Sequence, residues 1–151
     1  MTLQFGTPED DVSYRDRPAS FGVAVRDGRL ALVEVSKPGQ PPWHDLPGGA
    51  LDPGEEDAAA VVREFGEETG LVIQPGPLLT RADQVFRLAD GTPVNNRSGI
   101  YRVDIVKEDA SLKVEDDHRL VWLDPLQALT VMRHDSHAWA VACWLRRQAA
   151  A

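Results

Sequence analysis

Two runs of apolar, β-rich residues stand out early in the chain, Phe21–Val25 and Leu30–Val35. Between them lies Arg26-Asp27-Gly28-Arg29, and Asp-Gly is a favoured two-residue turn, so the pair predicts a β-hairpin. Pro38 to Pro42 interrupts regular structure, and Trp43 to Leu46 is a short extended approach to Pro47-Gly48-Gly49. From position 57 the spacing changes. At ~100° per residue Ala58, Val61, Val62 and Phe65 share one face, which predicts a helix over about 57–69, with Asp57 as N-cap and Gly70 as the stop. Gly66 costs such a helix roughly 1 kcal/mol against Ala, and its direction, nearly opposite Glu64, suggests close packing behind it. Further on, Leu78–Leu88 and Gly99–Val106 read as strands joined by a polar stretch, Ala89 to Ser98. Arg119–Leu123 reads as another strand, ended by Asp124-Pro125. Asp135 would then cap a C-terminal helix over about 135–147, with Trp139, Cys143 and Trp144 at helical spacing on its buried face. Residues 1–17 are expected to be an irregular lead-in, and 18–148 a single α/β domain with a mixed β-sheet.

The second half of the predicted helix carries candidate chemistry. Glu64, Glu67 and Glu68 stand at i, i+3 and i+4, which places three carboxylates within an arc of about 100°. Acidic oxygens beside a Gly48-Gly49 turn suit hard divalent cations and, through them, phosphate.

Composition narrows the field. A length of 151 residues fits one domain able to bury its own core. No apolar run approaches the ~20 residues that span a bilayer, and the polar, acidic N-terminus is unlike a secretory signal. A single cysteine, Cys143, rules out an intrachain disulfide and suits a reducing compartment, so the cytoplasm is the expected location. The formal net charge of −8 argues against general affinity for nucleic acid or anionic membranes. It does not argue against a small phosphorylated substrate, because bound divalent ions would reverse the local field. A P-loop sequence is missing, Asp52-Pro-Gly-Glu-Glu does not suit an EF-hand, and His118, His134 and His137 lack zinc-ligand spacing.

The segment Gly49–Leu71 resembles the box of the Nudix hydrolase family. That box runs Gly, five residues, Glu, seven residues, Arg-Glu, an aliphatic residue, any residue, Glu-Glu, any residue, Gly and an aliphatic residue. Here the fixed positions are Gly49, Glu55, Arg63-Glu64, Phe65, Glu67-Glu68, Gly70 and Leu71, with Phe65 the one departure, aromatic where an aliphatic residue is usual. Leu46-Pro-Gly-Gly49 and Trp122-Leu-Asp-Pro125 also look like their counterparts in Nudix domains. The resemblance implies an α/β/α sandwich and hydrolysis of a nucleoside diphosphate linked to a group X, dependent on Mg²⁺ with Mn²⁺ as a substitute. It implies metal ligation by Glu64, Glu67, Glu68 and the Gly49 carbonyl, an orienting role for Arg63, and a structural or outer acid at Glu55. Glu67 or Glu68 would orient or deprotonate the attacking water, and Glu115 or Asp116 would add a ligand from outside the box. Trp43, His44 and Phe86 are candidate substrate contacts.

Each of these residues also has a plainer reading. Glutamates at helical spacing are ordinarily a solvated face, and it is Gly49, Glu55 and Arg63 around them that favour metal. The acidic run Glu115-Asp116-Asp117 is equally a solvated turn, loop histidines are commonly incidental, and aromatics such as Trp43, Phe86, Phe21 and Tyr101 are commonly core. The substrate class stays open among nucleoside triphosphates (oxidised ones included), ADP-ribose-like molecules and nucleotide sugars. A rival function is a Nudix-fold sensor that binds a nucleotide without cleaving it. Relatives often dimerise, and nothing in this sequence selects dimer over monomer.

Overall fold

Asp27 and Gly28 both take positive φ, 52° and 75°, so β2 (Arg15–Arg26) reverses directly into β3 (Arg29–Val35) with Arg26 opposite Arg29. This hairpin stands at the centre of the computed structural model, which describes residues 1–150. The other elements are β1 (Thr2–Phe5), β4 (Trp43–Asp45), β5 (Gly48–Ala50), α1 (Asp57–Thr69), β6 (Leu71–Arg87) and β7 (Pro93–Glu108). A 3-10 turn at Ala110–Leu112, β8 (His118–Leu123), α2 (Pro125–Val131) and α3 (Asp135–Ala150) complete the chain. The sheet runs β1-β6-β7-β2-β3-β4, with β5 also on β2 and β8 also on β3. β1 with β6 and β2 with β7 are parallel, and the remaining pairs are antiparallel, so the sheet is mixed as the sequence predicts.

Alternation along the central strands divides the core in two. Ala19, Phe21 and Val23 join Leu30 and Leu32 on one face, against Ala128 of α2 and Ala140, Val141 and Trp144 of α3. Ala24 and Ala31 face the other way, against Val61 and Phe65 of α1. Helices therefore cover both faces, giving an α/β/α sandwich. Each fully buried large side chain contributes about 1.5–3 kcal/mol to holding these layers together.

Several expectations need correction. The lead-in is not irregular throughout, because Thr2–Phe5 pairs in parallel with Arg81–Gln84 and extends the sheet by one strand. The polar stretch Ala89–Ser98 is a connection only to Thr92. Asn95, Asn96, Arg97 and Ser98 belong to β7, whose ladder with β6 and β2 satisfies their backbone. The N-cap of α1 is Glu56 rather than Asp57, and the Asp57 carboxylate instead accepts the Tyr101 hydroxyl at 2.5 Å. At the other end Gly70 terminates the helix in the left-handed region, φ 75°, its N–H on the Gly66 carbonyl. Ala58 and Val62 lie on the exposed side of α1, and the buried side is Ala60, Val61, Phe65, Gly66, Glu68 and Thr69. Gly66 is buried against the 3-10 turn, but a Cβ there would lie 3.4 Å from Leu112, an ordinary contact distance, so that packing does not require a glycine. Asp124 caps an additional helix, α2, through the Leu126 N–H. On α3 the buried face is His137, Ala140, Val141 and Trp144, leaving Cys143 half-buried and Trp139 exposed. Among the described residues no helix is long and apolar enough to cross a membrane.

Candidate active site

Two glycines bring β5 against α1. Gly48 has φ 145°, and a Cβ there would fall 2.2 Å from the Ser20 carbonyl oxygen. A Cβ on Gly49 would sit 2.8 Å from Oε1 of Glu64, so only a bare backbone lets the strand lie on that carboxylate. The Gly48 N–H donates to Oε1 of Glu68 at 2.8 Å across the same junction.

Arg63 organises the helix surface. Its Nε and Nη2 donate to the two oxygens of Glu55 at 2.9 and 2.8 Å, a bidentate pair. Nη1 bridges Oε1 of Glu64 and Oε2 of Glu67, both at 3.1 Å, and Nη2 also reaches the Ala50 carbonyl at 3.1 Å. Hydrogen bonds from Arg63 and from the Asp52 N–H hold the Glu55 carboxyl down to about 2, and Glu55 in turn raises the guanidinium above its ordinary value. Burial pushes Glu64 the other way, above the usual carboxylate range, against the pull of Arg63.

Glu68 is 6% exposed, and burial raises it to about 7 despite its bonds to His118 and Gly48. His118, at the start of β8, sits between two carboxylates: Nε2 is 2.9 Å from Glu68 and Nδ1 2.7 Å from Asp117. Burial opposes its charge, yet Glu68 and Asp117 outweigh that and lift it to about 9, so it is a cation at neutral pH. Asp117 also pairs with Lys37, and that bond above all lowers it to about 2. The segment ahead of β8 is tied to α1 where the Val114 and Glu115 N–H groups donate to the Glu67 carbonyl, at 2.9 and 3.1 Å.

These groups border a cavity of about 390 Å³. Gly49, Glu64, Glu68 and Glu115 line it, as do Trp43 and Phe86. Glu67 is not in the lining; Arg63 holds it beside the wall. Asp116 is exposed and outside the cavity, while Glu115, Asp117 and His118 bring potential ligand atoms within 4.8 Å of one another. His44 is also outside. Alternation along β4 sends Trp43 and Asp45 to the cavity and His44 to the opposite side, 3.5 Å from Glu34.

The sequence reading missed several lining residues. Arg17 is half-buried, and its nearest polar contact is neutral, Asn96 Oδ1 at 2.9 Å. Burial lowers its pKa while the nearby Glu64 charge raises it. The signal was register: Arg17 on β2 stands opposite Asn96 on β7. Arg133 lies between α2 and α3, its guanidinium forked onto Asp45 at 3.1 and 2.8 Å and stacked 4.5 Å from the Trp43 ring centroid. No local spacing announces a pair so far apart in sequence.

An α/β/α sandwich with an arginine-braced set of carboxylates beside a Gly-Gly strand defines the class of protein. Residues 16–145 match the sequence model described as the NUDIX domain, and the chain belongs to the Nudix family. Among solved structures it is similar to a NUDIX hydrolase from Nitrosomonas europaea, at 23% identity and TM-score 0.71, covering 87% of this chain and 90% of that one. It is similar also to a MutT protein from Methanosarcina mazei Go1, at 19% identity and TM-score 0.68, covering 91% and 99%. An ADP-ribose pyrophosphatase from Streptococcus suis 89-1591 aligns at 13% identity and TM-score 0.63, covering 87% and 91%. No curated protein matches the chain. The structural likenesses establish the fold, and Nudix hydrolases in general act on pyrophosphate bonds with a divalent metal.

Proposed function

We propose that the protein is a metal-dependent hydrolase of the diphosphate linkage in a nucleoside diphosphate joined to a further group. The observation that carries this reading is the convergence of Glu64, Glu68 and Glu115 on one cavity, with Arg63 bracing the first of them. The donor set fits a hard divalent cation: it is all oxygen, and Gly49 offers a carbonyl where any side chain would collide with Glu64. Glu64, Glu68, Glu115 and the Gly49 carbonyl would hold Mg²⁺, with Mn²⁺ as a substitute and Glu67 held in reserve by Arg63. When bound, the ion would neutralise phosphate charge and lower the pKa of a coordinated water.

The chain's own residues supply the rest. Arg17, a half-buried guanidinium whose hydrogen-bond partner Asn96 is neutral and whose nearby opposite charge is Glu64, would bind phosphate. Of the two candidates for accepting the proton of the attacking water, Glu68 lines the cavity and Glu67 does not. Nucleoside triphosphates, ADP-ribose-like molecules and nucleotide sugars all present the linkage this site would cleave.

The test is product release across such a panel with and without Mg²⁺, using wild type and Glu68→Gln. Metal-dependent turnover that drops by about 10²-fold or more in the variant, with an unchanged circular dichroism spectrum, is the expected result. Tight nucleotide binding with no turnover of any panel member would instead establish a sensor.

A further inference from the structure

Glu68 is held by elements other than its own helix. Its Oε1 accepts the Gly48 N–H of β5 at 2.8 Å, and its Oε2 lies 2.9 Å from Nε2 of His118 at the start of β8. Glu64 and Glu67 differ, since Arg63 braces both from within α1. A carboxylate oxygen has two acceptor sites, so one donor on each oxygen of Glu68 leaves a site on each for a cation or a water. Glu68 lines the cavity and is 6% exposed, so the direction of those sites is set by the two donors rather than by bulk water.

The imidazole is itself fixed. Its Nδ1 lies 2.7 Å from Asp117, and Asp117 in turn pairs with Lys37. The Asp117 carbonyl accepts the Ser36 N–H at 3.0 Å, and Val35 stands opposite His118 in the β3–β8 ladder, so backbone pairing sets where the ring begins. With Nε2 turned to Glu68 and Nδ1 to Asp117, each ring N–H is directed at a carboxylate. A ring engaged at both nitrogens has none left for a metal ion or a substrate. Whatever His118 does for the reaction therefore passes through Glu68.

We propose that His118 is a positioning residue, whose Nε2–H holds the Glu68 carboxylate with its remaining acceptor sites toward the cavity before metal or water arrives. The inference rests on the hydrolase reading, in which Glu68 meets the metal or the attacking water. The pairing Lys37–Asp117–His118–Glu68 runs from the loop after β3 to the box helix, so two separate devices place the acids. Arg63 acts from within the helix, and His118 with Gly48 acts from the sheet. Outer hydrogen bonds of this kind are worth about ten- to a hundredfold in metal affinity or activity.

The experiment compares His118→Gln with His118→Asn. Both replacements are neutral, so the lost charge cancels between them. The longer amide reaches the place of Nε2 and keeps a donor to Glu68; the shorter one stops near the place of Nδ1 and keeps only Asp117. Mn²⁺ affinity is read by electron paramagnetic resonance without nucleotide, and kcat and KM are read on the best substrate of the panel. His118→Asn is expected to bind Mn²⁺ about tenfold more weakly than His118→Gln. Its kcat should be lower by about tenfold, with KM within about twofold. Beside Glu68→Gln, the same two replacements should give equal Mn²⁺ affinities, a result that a loss of packing alone does not produce. Equal Mn²⁺ affinity and kcat in the two single variants, or a difference that persists beside Glu68→Gln, overturns the proposal. Should His118→Asn fail to fold, ¹H–¹⁵N spectra of the wild-type imidazole decide the matter. A hydrogen-bonded His118 Nε2–H signal that survives saturation with Mg²⁺ supports the assignment, and its loss overturns it. Metal-dependent hydrolysis with no difference between the two variants sinks this proposal alone. Mn²⁺ affinity that follows the donor, in a protein that hydrolyses nothing, sinks the hydrolase reading and keeps the placement of Glu68.

Discussion

Arg63 shows what a single side chain can impose on its neighbours. It meets Glu55 with two parallel bonds and shares a third nitrogen between Glu64 and Glu67, an arrangement that needs a planar fork. A lysine offers one point charge and cannot span all three acids. Arg63→Lys is therefore expected to release the Glu55 carboxyl from about 2 toward its ordinary 4.5, read by ¹³C-detected carboxyl titration. Turnover should fall by about ten- to a hundredfold as Glu64 loses its brace, a cost of roughly 1.4–2.8 kcal/mol in the transition state. A carboxyl that stays near 2 in the variant would mean that the Asp52 N–H, not the fork, sets it. Arg63 and its acids were legible from sequence because helical periodicity and a short loop relate all four. Arg17, Arg133 and His118 were not, because each meets its contact across strands or elements, and register is not written in local spacing.

Among the elements, the hairpin, the box helix and the strand entering the Gly-Gly turn could be read from sequence, since each has a local signal in Asp-Gly, in apolar spacing or in glycine and proline. The extent of β7 could not. Asn96 and Ser98 are buried polar residues, and Asn96 lines the cavity where it accepts from Arg17, so their polarity hid the strand. Helix α2 was missed for a related reason, burying only Ala128 and so showing little amphipathic pattern. The aromatic departure at Phe65 has a structural answer on the neighbouring strand. A Cβ on Gly22 would lie 2.7 Å from the Phe65 ring, so the large side chain is accommodated by a glycine opposite it. Gly22→Ala should destabilise the wild type, and Phe65→Leu should cost about 1 kcal/mol by itself. In the double variant the leucine relieves the clash, and denaturant unfolding should report a coupling energy of at least about 1 kcal/mol. Strict additivity would show that the clash is absorbed elsewhere, with Val103 Cγ1, 2.9 Å from the same hypothetical Cβ, the first candidate.

Across the whole molecule, the buried titratable groups work in opposite directions, and their sum predicts how stability depends on pH. His134 and His137 are held by burial at about 2 and about 4, below the ordinary 6.5. As pH falls from 6.5 toward 4, the unfolded chain takes up two protons that the fold refuses, and stability drops. Glu68 runs against this, raised from 4.5 to about 7, so the fold takes one proton in that range that the unfolded chain does not. Burial also raises Glu64, so at most one net proton remains, and stability falls by on the order of 1 kcal/mol per pH unit or less between roughly 6.5 and 4.5. On the alkaline side His118 governs. Its pKa is raised from 6.5 to about 9, so its contribution is complete below 6.5 and is lost as pH rises through 9. Urea midpoints measured from pH 4.5 to 9.5 should therefore peak close to pH 6.5 and decline on both sides. His118→Gln should flatten the alkaline limb and leave the acid limb sloping, because the two buried imidazoles are untouched. An alkaline decline that persists in the variant would show that the ion pair between His118 and Glu68 does not couple the β8 strand to the box helix. The carboxylates that line the cavity would then owe their placement to Arg63 and the Gly48 N–H alone.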